Sequence, residues 1–231
     1  MKTLIVIPTY NERENIPPLI SGVMQQQLNV DFLIVDDSSP DGTGQVVQEI
    51  QKTNPHVHLL TRQQKQGLGR AYIAGFQWAM EHGYEWIVEM DADFSHRPVD
   101  LKALLQAMQN HDFAVGSRYV EGGGTANWGL LRKIISRGGG IYSRLILGYP
   151  LNDWTGGFNA WTAETLKKIN LDSVQSNGYS FQIELKYKAL KNGCRGIEVP
   201  ILFEDRRVGQ SKMSLRIVIE AFYRVWLIRA K

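Results

Sequence analysis

Apolar and polar positions in the first half of the chain alternate between two periods. Short β-branched runs at residues 3–8, 31–36, 57–60, 85–90 and 113–117 predict strands. Between them, residues 14–27, 43–52, 69–82 and 99–110 carry apolar side chains at helical spacing. Strands that alternate with helices need crossover connections, so the pattern predicts an α/β domain with a mostly parallel sheet and helices on both faces. Ligands of such sheets bind beyond the carboxyl ends of the strands. The polar segments Pro8-Thr9-Tyr10-Asn11-Glu12, Asp36-Asp37-Ser38-Ser39-Pro40-Asp41-Gly42-Thr43 and Asp91-Ala92-Asp93 all follow predicted strands, so they are expected at one edge.

The second half is less regular. Gly122, Gly123 and Gly124 predict the start of a mobile loop. Residues 128–147 have a helical pattern interrupted by Gly138, Gly139 and Gly140, where a break or a close approach to another surface is expected. Residues 152–158 read as a loop, 181–192 as a helix, 197–203 as a strand and 214–230 as a final helix. In that tail Lys212, Arg216, Glu220 and Arg224 recur every four residues, amid apolar residues that include Phe222, Tyr223 and Trp226. Two readings stay open: a helix packed on the sheet with one solvated stripe, or an amphipathic helix at a membrane interface. No repeat, low-complexity tract or clear linker divides the chain, and one domain is expected.

Composition narrows the class. A lone cysteine, Cys194, excludes an internal disulfide and a cysteine-based zinc site, and reads as a small buried thiol. The first apolar run is too short for a signal peptide, and nothing approaches the ~18–20 apolar residues of a membrane span, so a cytoplasmic location is expected. Charge is asymmetric: residues 1–128 hold 9 Lys+Arg against 15 Asp+Glu (−6), residues 129–231 hold 17 against 8 (+9), and together these give the net +3. An acidic half suited to metal and a basic half suited to anions predict a cleft between them or a basic face toward an anionic surface. No nucleic-acid motif accompanies the basic half, and nucleic acid is not an expected partner.

The sharpest chemical signal is Asp91-Ala92-Asp93 at the end of an apolar run. In extended backbone, side chains two apart point the same way, and a pair of carboxylates suits Mg²⁺ or Mn²⁺ completed by water and substrate phosphates. No Gly-x-Gly-x-x-Gly follows the first strand, so dinucleotide binding is not expected. Five scattered histidines lack ligand spacing; His96, beside the aspartates, is expected to make a local hydrogen bond.

The ordered motifs Val-Ile-Pro-Thr-Tyr-Asn-Glu (6–12), Val-Asp-Asp-Ser-Ser-Pro-Asp-Gly-Thr (35–43), Gly-Leu-Gly-Arg-Ala (67–71), Met-Asp-Ala-Asp-Phe-Ser-His (90–96) and Gly-Ser-Arg-Tyr (116–119) resemble the inverting family 2 glycosyltransferases. More narrowly they are similar to the dolichol- or polyprenol-phosphate mannose synthases. The similarity continues through residues 153–158 and 203–212, so it spans nearly the whole chain. It implies a GT-A fold, a Rossmann-like mostly parallel sheet with a C-terminal amphipathic helix. Residues 1–118 would form the nucleotide-sugar and metal half, 119–213 the acceptor half and 214–231 the amphipathic helix.

Carried over residue by residue, the resemblance puts Pro8, Tyr10, Glu12, Val35 and Asp37 around the guanosine, and Ala92 against the donor. Asp91 and Asp93 match the metal-binding aspartates. Ser95 stands where some relatives have a further metal ligand, Gln. Arg118, Arg206 and Lys212 match basic residues that hold phosphates; Arg132 and Ser136 fall in the acceptor-loop helix. Asp91, Asp93 and Arg118 are the expected catalytic residues.

The implied reaction transfers mannose from GDP-mannose to a polyprenyl (dolichyl-type) monophosphate with inversion, aided by Mg²⁺ or Mn²⁺, on the cytoplasmic face of a membrane. A peripheral attachment and a small membrane-anchored partner subunit both remain open. A phosphate acceptor with a second pKa near ~6 needs no general base. Three alternatives also remain: a UDP-glucose or other hexose donor, a soluble glycan acceptor with Asp153 as base, and a nucleotide-binding subunit without turnover.

Overall fold

The computed structural model describes residues 1–205 and 215–230. β1 (Thr3–Thr9), α1 (Ile16–Met24), β2 (Asp31–Asp36), α2 (Thr43–Thr53), β3 (Val57–Thr61), α3 (Leu68–Glu81) and β4 (Trp86–Glu89) follow the predicted alternation. After them come α4 (Leu101–Ala107), β5 (Phe113–Ser117), β6 (Gly124–Thr125) and α5 (Leu130–Leu147). The chain continues through β7 (Asn159–Thr162), α6 (Ala163–Ile169), α7 (Tyr179–Lys191), β8 (Gly196–Pro200), β9 (Leu202–Phe203) and α8 (Leu215–Ala230).

Seven strands form one sheet in the order β3-β2-β1-β4-β7-β5-β8. Every pairing is parallel except those of β7, which runs antiparallel to both β4 and β5. The central strands are apolar on both faces because helices cover both. Leu4, Val6, Leu33 and Val35 pack with α3 and α7 residues such as Phe76 and Phe181, whereas Ile5, Ile7, Phe32 and Ile34 pack with Leu19 of α1 and Leu104 of α4. The strand period of two sends neighbouring residues into these separate cores.

Several expectations change. The run predicted as 85–90 leaves the sheet after Glu89; Asp91 lies past the strand and Asp93 in the turn that follows, so no regular strand sets their common direction. The helix predicted with a glycine break is continuous from Leu130 to Leu147. The close approach exists instead at Gly140, where a Cβ would stand 2.6 Å from the carbonyl oxygen of Asn152. Gly124 and Thr125 do not belong to a loop but pair with Leu202 and Phe203, and Pro200 ends β8, so residues 197–203 split between two sheets. Residues 159–169, without assignment from the sequence, supply β7 and α6.

α8 packs against α5 and α7. Its Val225 and Ile228 are buried, whereas Phe222, Tyr223 and Trp226 are exposed. Of the charged stripe, Lys212 lies outside the described residues and Arg224 is half-buried.

Candidate active site

The carboxyl ends of β1, β2, β4 and β5 share one edge, because these strands are parallel. β7 enters from that same edge. Its first residue, Asn159, stands opposite both Glu89 and Val115, so the preceding loop, 152–158, is carried to the ends of β4 and β5. The antiparallel strand is therefore what brings the second half of the chain to the aspartates.

On the β1–β2 side, backbone capping is dense. Asp36 accepts from the Thr9 hydroxyl (3.0 Å) and from the Ser39 amide (3.0 Å) and hydroxyl (2.5 Å), which fixes it as a structural carboxylate. The Glu12 amide donates to Thr43 Oγ1 (3.1 Å), and the Arg13 amide to Asp41 (3.1 Å). Asp37 is buried, 3.0 Å from Arg62. Burial pushes its carboxyl pKa up against the pull of that guanidinium. Pro8 is half-buried and Val35 fully buried; Tyr10 is exposed, with the Lys65 ammonium 3.5 Å from its ring centre.

At the end of β4, the Tyr72 hydroxyl donates to Asp91 Oδ1 (3.1 Å), and the Asp91 amide donates to His96 Nδ1 (3.0 Å). Burial lowers the His96 pKa, which keeps the ring neutral and Nδ1 an acceptor. The predicted local role of His96 is thus met. The Ser95 amide donates to Asp93 Oδ1 (3.1 Å), and the Ser95 hydroxyl is buried without a hydrogen-bond partner. Two carboxylates beside an unsatisfied hydroxyl suit a hard divalent ion. Among the described residues no cluster of three His, Cys, Asp or Glu is arranged to hold a metal. Ala92, between the aspartates, is buried.

The β5 side is built on an ion pair that sequence reasoning did not foresee. Asp153 is completely buried and takes Nε (2.7 Å), Nη2 (2.6 Å) and the amide (3.0 Å) of Arg118, together with the Gly156 amide (2.9 Å). Burial alone would raise the Asp153 pKa; the Arg118 guanidinium overrides it and holds the carboxyl at about 2. Arg118 also donates to Thr155 Oγ1 (2.9 Å). Arg132 pairs with Asp205 (3.0 Å) and lies 3.8 Å from the Trp128 ring centre, while Ser136 accepts from the Tyr119 hydroxyl (2.6 Å). Arg206 and Lys212 lie outside the described residues.

Beneath these groups runs a second buried polar set. Glu89 accepts from Trp161 Nε1 (2.6 Å) and Gln182 Nε2 (2.5 Å), and Lys186 Nζ donates to the carbonyls of Asp153 (3.0 Å), Trp154 (3.3 Å) and Gly156 (2.8 Å). Glu89 is the one member with a sequence signal. A carboxylate inside the apolar run of a buried strand demands partners.

Residues 4–169 match the model of glycosyl transferase family 2, and the chain belongs to that family: it is a glycosyltransferase with a GT-A fold. Over its full length the chain is 47% identical to the polyprenol monophosphomannose synthase of Mycolicibacterium smegmatis, covering 88% of it. It is also 46% identical to the undecaprenyl-phosphate mannosyltransferase of Micrococcus luteus, covering 96% of that protein. Among solved structures it resembles glucosyl-3-phosphoglycerate synthase of Mycobacterium tuberculosis, bound to Mn²⁺, UDP and glucosyl-3-phosphoglycerate. That match has a TM-score of 0.66 and 16% identity, and covers 98% of this chain and 78% of the other. The mannosyltransferase PcManGT of Pyrobaculum calidifontis, bound to GDP-Man and Mn²⁺, has a TM-score of 0.59 and 15% identity, with 99% and 73% covered.

Proposed function

We propose that this glycosyltransferase moves mannose from GDP-mannose to a polyprenyl (dolichyl-type) monophosphate, inverting the anomeric carbon. The observation that carries the reading is the state of Asp153. The carboxylate that the sequence offered as a general base is fully buried and clamped by Arg118, and its low pKa makes it a poor proton acceptor. An alcohol acceptor would need such a base. A phosphate monoester, with a second pKa near ~6, is largely a dianion at neutral pH and attacks without one.

The chain's own residues divide the work by strand. Pro8, Tyr10, Glu12, Val35 and Asp37 receive the guanosine at the ends of β1 and β2. Tyr72 and His96 orient Asp91, the Ser95 amide orients Asp93, and Ala92 lines the donor between them. Asp91 and Asp93, with Ser95 near, would hold Mg²⁺ or Mn²⁺, which when bound would supply electrostatic stabilisation of the leaving diphosphate. Arg118 fixes the 153–157 turn from β5. Arg132, whose Nε is buried without a partner, and Ser136 receive the acceptor phosphate, and Arg206 and Lys212 hold phosphates from the segment after β9. The names of the two relatives support the acceptor class and mannose, and the GDP-Man complex of the Pyrobaculum enzyme supports the donor.

The acceptor is a lipid, and the surface suits one. α5 exposes Leu130, Leu131, Ile134 and Leu145, and the adjoining α8 exposes Tyr223 and Trp226. Among the described residues no helix is long and apolar enough to cross a membrane. These helices support a peripheral seat on the cytoplasmic face of a membrane, with aromatic side chains at headgroup depth. A small membrane-anchored subunit is the competing occupant of the same face.

Labelled sugar transfer into butanol-extractable lipid phosphate tests the reading. Mannose should move from GDP-mannose and not glucose from UDP-glucose, and Asp93→Ala should abolish transfer while leaving the melting temperature near that of the wild type. Transfer from UDP-glucose alone, or wild-type turnover by Asp93→Ala with metal present, overturns it.

A further inference from the structure

Two residues one turn apart on α7 reach both walls of the cleft. Gln182 donates to Glu89, two residues before Asp91, and thereby holds the end of the strand that delivers the aspartates. Lys186, four residues later on the same helix face, holds the opposite wall. Lys186 is 0% exposed, and its ammonium spends all three donors on carbonyls of one turn, those of Asp153, Trp154 and Gly156. Glu198 of β8 takes the amides of Asn152 (2.9 Å) and Asp153 (2.8 Å) of that turn. Asp153 itself turns toward Arg118.

The consequence falls on Gly157. A Cβ there would lie 3.6 Å from Gln182 Nε2, 3.8 Å from the His96 ring and 4.0 Å from Asp91 Oδ2. The turn that Lys186 and Glu198 grip is therefore the surface that faces the metal-binding carboxylate. Burying a cation is unfavourable, and burial drives the Lys186 pKa down to about 8 despite the neighbouring Asp153 and Glu89. An apolar side chain would avoid that penalty, but it would leave three buried carbonyls unpaired and the turn free to move.

We propose that Lys186 is a positioning residue for glycosyl transfer. By drawing the carbonyls of Asp153, Trp154 and Gly156 inward, it sets the distance between the turn that Arg118 grips and Asp91. The assignment rests on the function proposed above for what is transferred, but not for how the turn is held. It predicts a specific kinetic pattern. Donor and metal would bind mainly at the ends of β1, β2 and β4, whereas the Lys186 hydrogen bonds all go to the 153–156 turn, so the alignment of acceptor and donor should depend on Lys186 more than donor binding does.

The test compares wild type, Lys186→Met and Lys186→Arg. For Lys186→Met, kcat should fall about 10- to 100-fold, as expected of slight misplacement of reacting groups. The KM for GDP-mannose and the affinity for Mn²⁺–GDP should stay within about threefold, the signature of an interaction that matters only in the transition state. Lys186→Arg, which keeps a cation with several donors, should recover part of the loss. Amide exchange at Gly156 and Arg118, both of which donate to Asp153, should accelerate in Lys186→Met while exchange in β1 and β2 stays as in the wild type. If Lys186→Met does not fold, Glu198→Gln loosens the same turn from its other side and should show the same split. Wild-type kcat in folded Lys186→Met, unchanged exchange at Gly156, or a loss carried wholly by weaker Mn²⁺–GDP binding overturns the proposal. Should the wild type transfer no mannose, the reaction assignment fails by itself. Amide exchange and Mn²⁺–GDP affinity then still decide whether Lys186 holds the turn.

Discussion

Asp153→Asn is the most informative single perturbation. The change is isosteric and removes one charge from a pair whose members are almost sealed from solvent, with side-chain exposure of 4% for Arg118 and 0% for Asp153. The amide oxygen of Asn can still accept from some of the donors now served by Asp153, but its NH₂ group then confronts the guanidinium. Losing one partner of a buried pair strands the other charge, at a cost of about 3–5 kcal/mol. A domain of ordinary stability has about 5–15 kcal/mol in all, so the variant should lose roughly a fifth of its stability or more. With a urea slope near ~3 kcal/mol per M, the midpoint should fall by about 1–1.7 M. Urea titration followed by tryptophan fluorescence reads the shift, since Trp154 is in the same turn and fully buried. Arg118→Met should cost a similar amount for the converse reason. The double variant should lose clearly less than the sum, because neither charge is then left alone. A shift below about 0.3 M for Asp153→Asn, or strict additivity in the double variant, would show that the pair contributes little and that the turn is held by other contacts.

Two further outcomes follow from the same geometry. The Asp153 carboxyl is depressed from 3.8 to about 2, so its stabilisation is fully present above pH 3.8 and is lost as pH falls through about 2. Over that window the wild type should lose about 2 kcal/mol from this one group, and Asp153→Asn should show a visibly shallower acid slope; equal slopes would refute the linkage. Leu131→Asp combined with Trp226→Glu alters two exposed positions and should leave the fold intact while reducing co-flotation with anionic lipid vesicles at least about tenfold, given about 1.5–3 kcal/mol for each large apolar side chain buried. Unchanged flotation would remove α5 and α8 from the membrane reading.

What the amino-acid order determined by itself was the alternation of strands and helices through β5, and with it the edge where polar motifs gather. Periodicity carries this information because a buried parallel strand and an amphipathic helix each impose a local pattern. The aspartates were legible for the same reason: Asp91 and Asp93 interrupt an apolar run at its end. What tertiary structure alone decided was the placement of β7. Asn159-Ala160-Trp161-Thr162 is too short for a periodic signal, yet its insertion between β4 and β5 brings the 152–158 loop to the aspartates. It also turned Asp153 from a candidate base into the partner of Arg118. Gln182, Glu184 and Lys186 have the polarity of a solvated helix face but are buried, because α7 is covered on nearly every side by elements far away in the chain. A polar residue does not announce its partners, and whether it meets water or a carbonyl is set by contacts between distant segments, to which local spacing is blind.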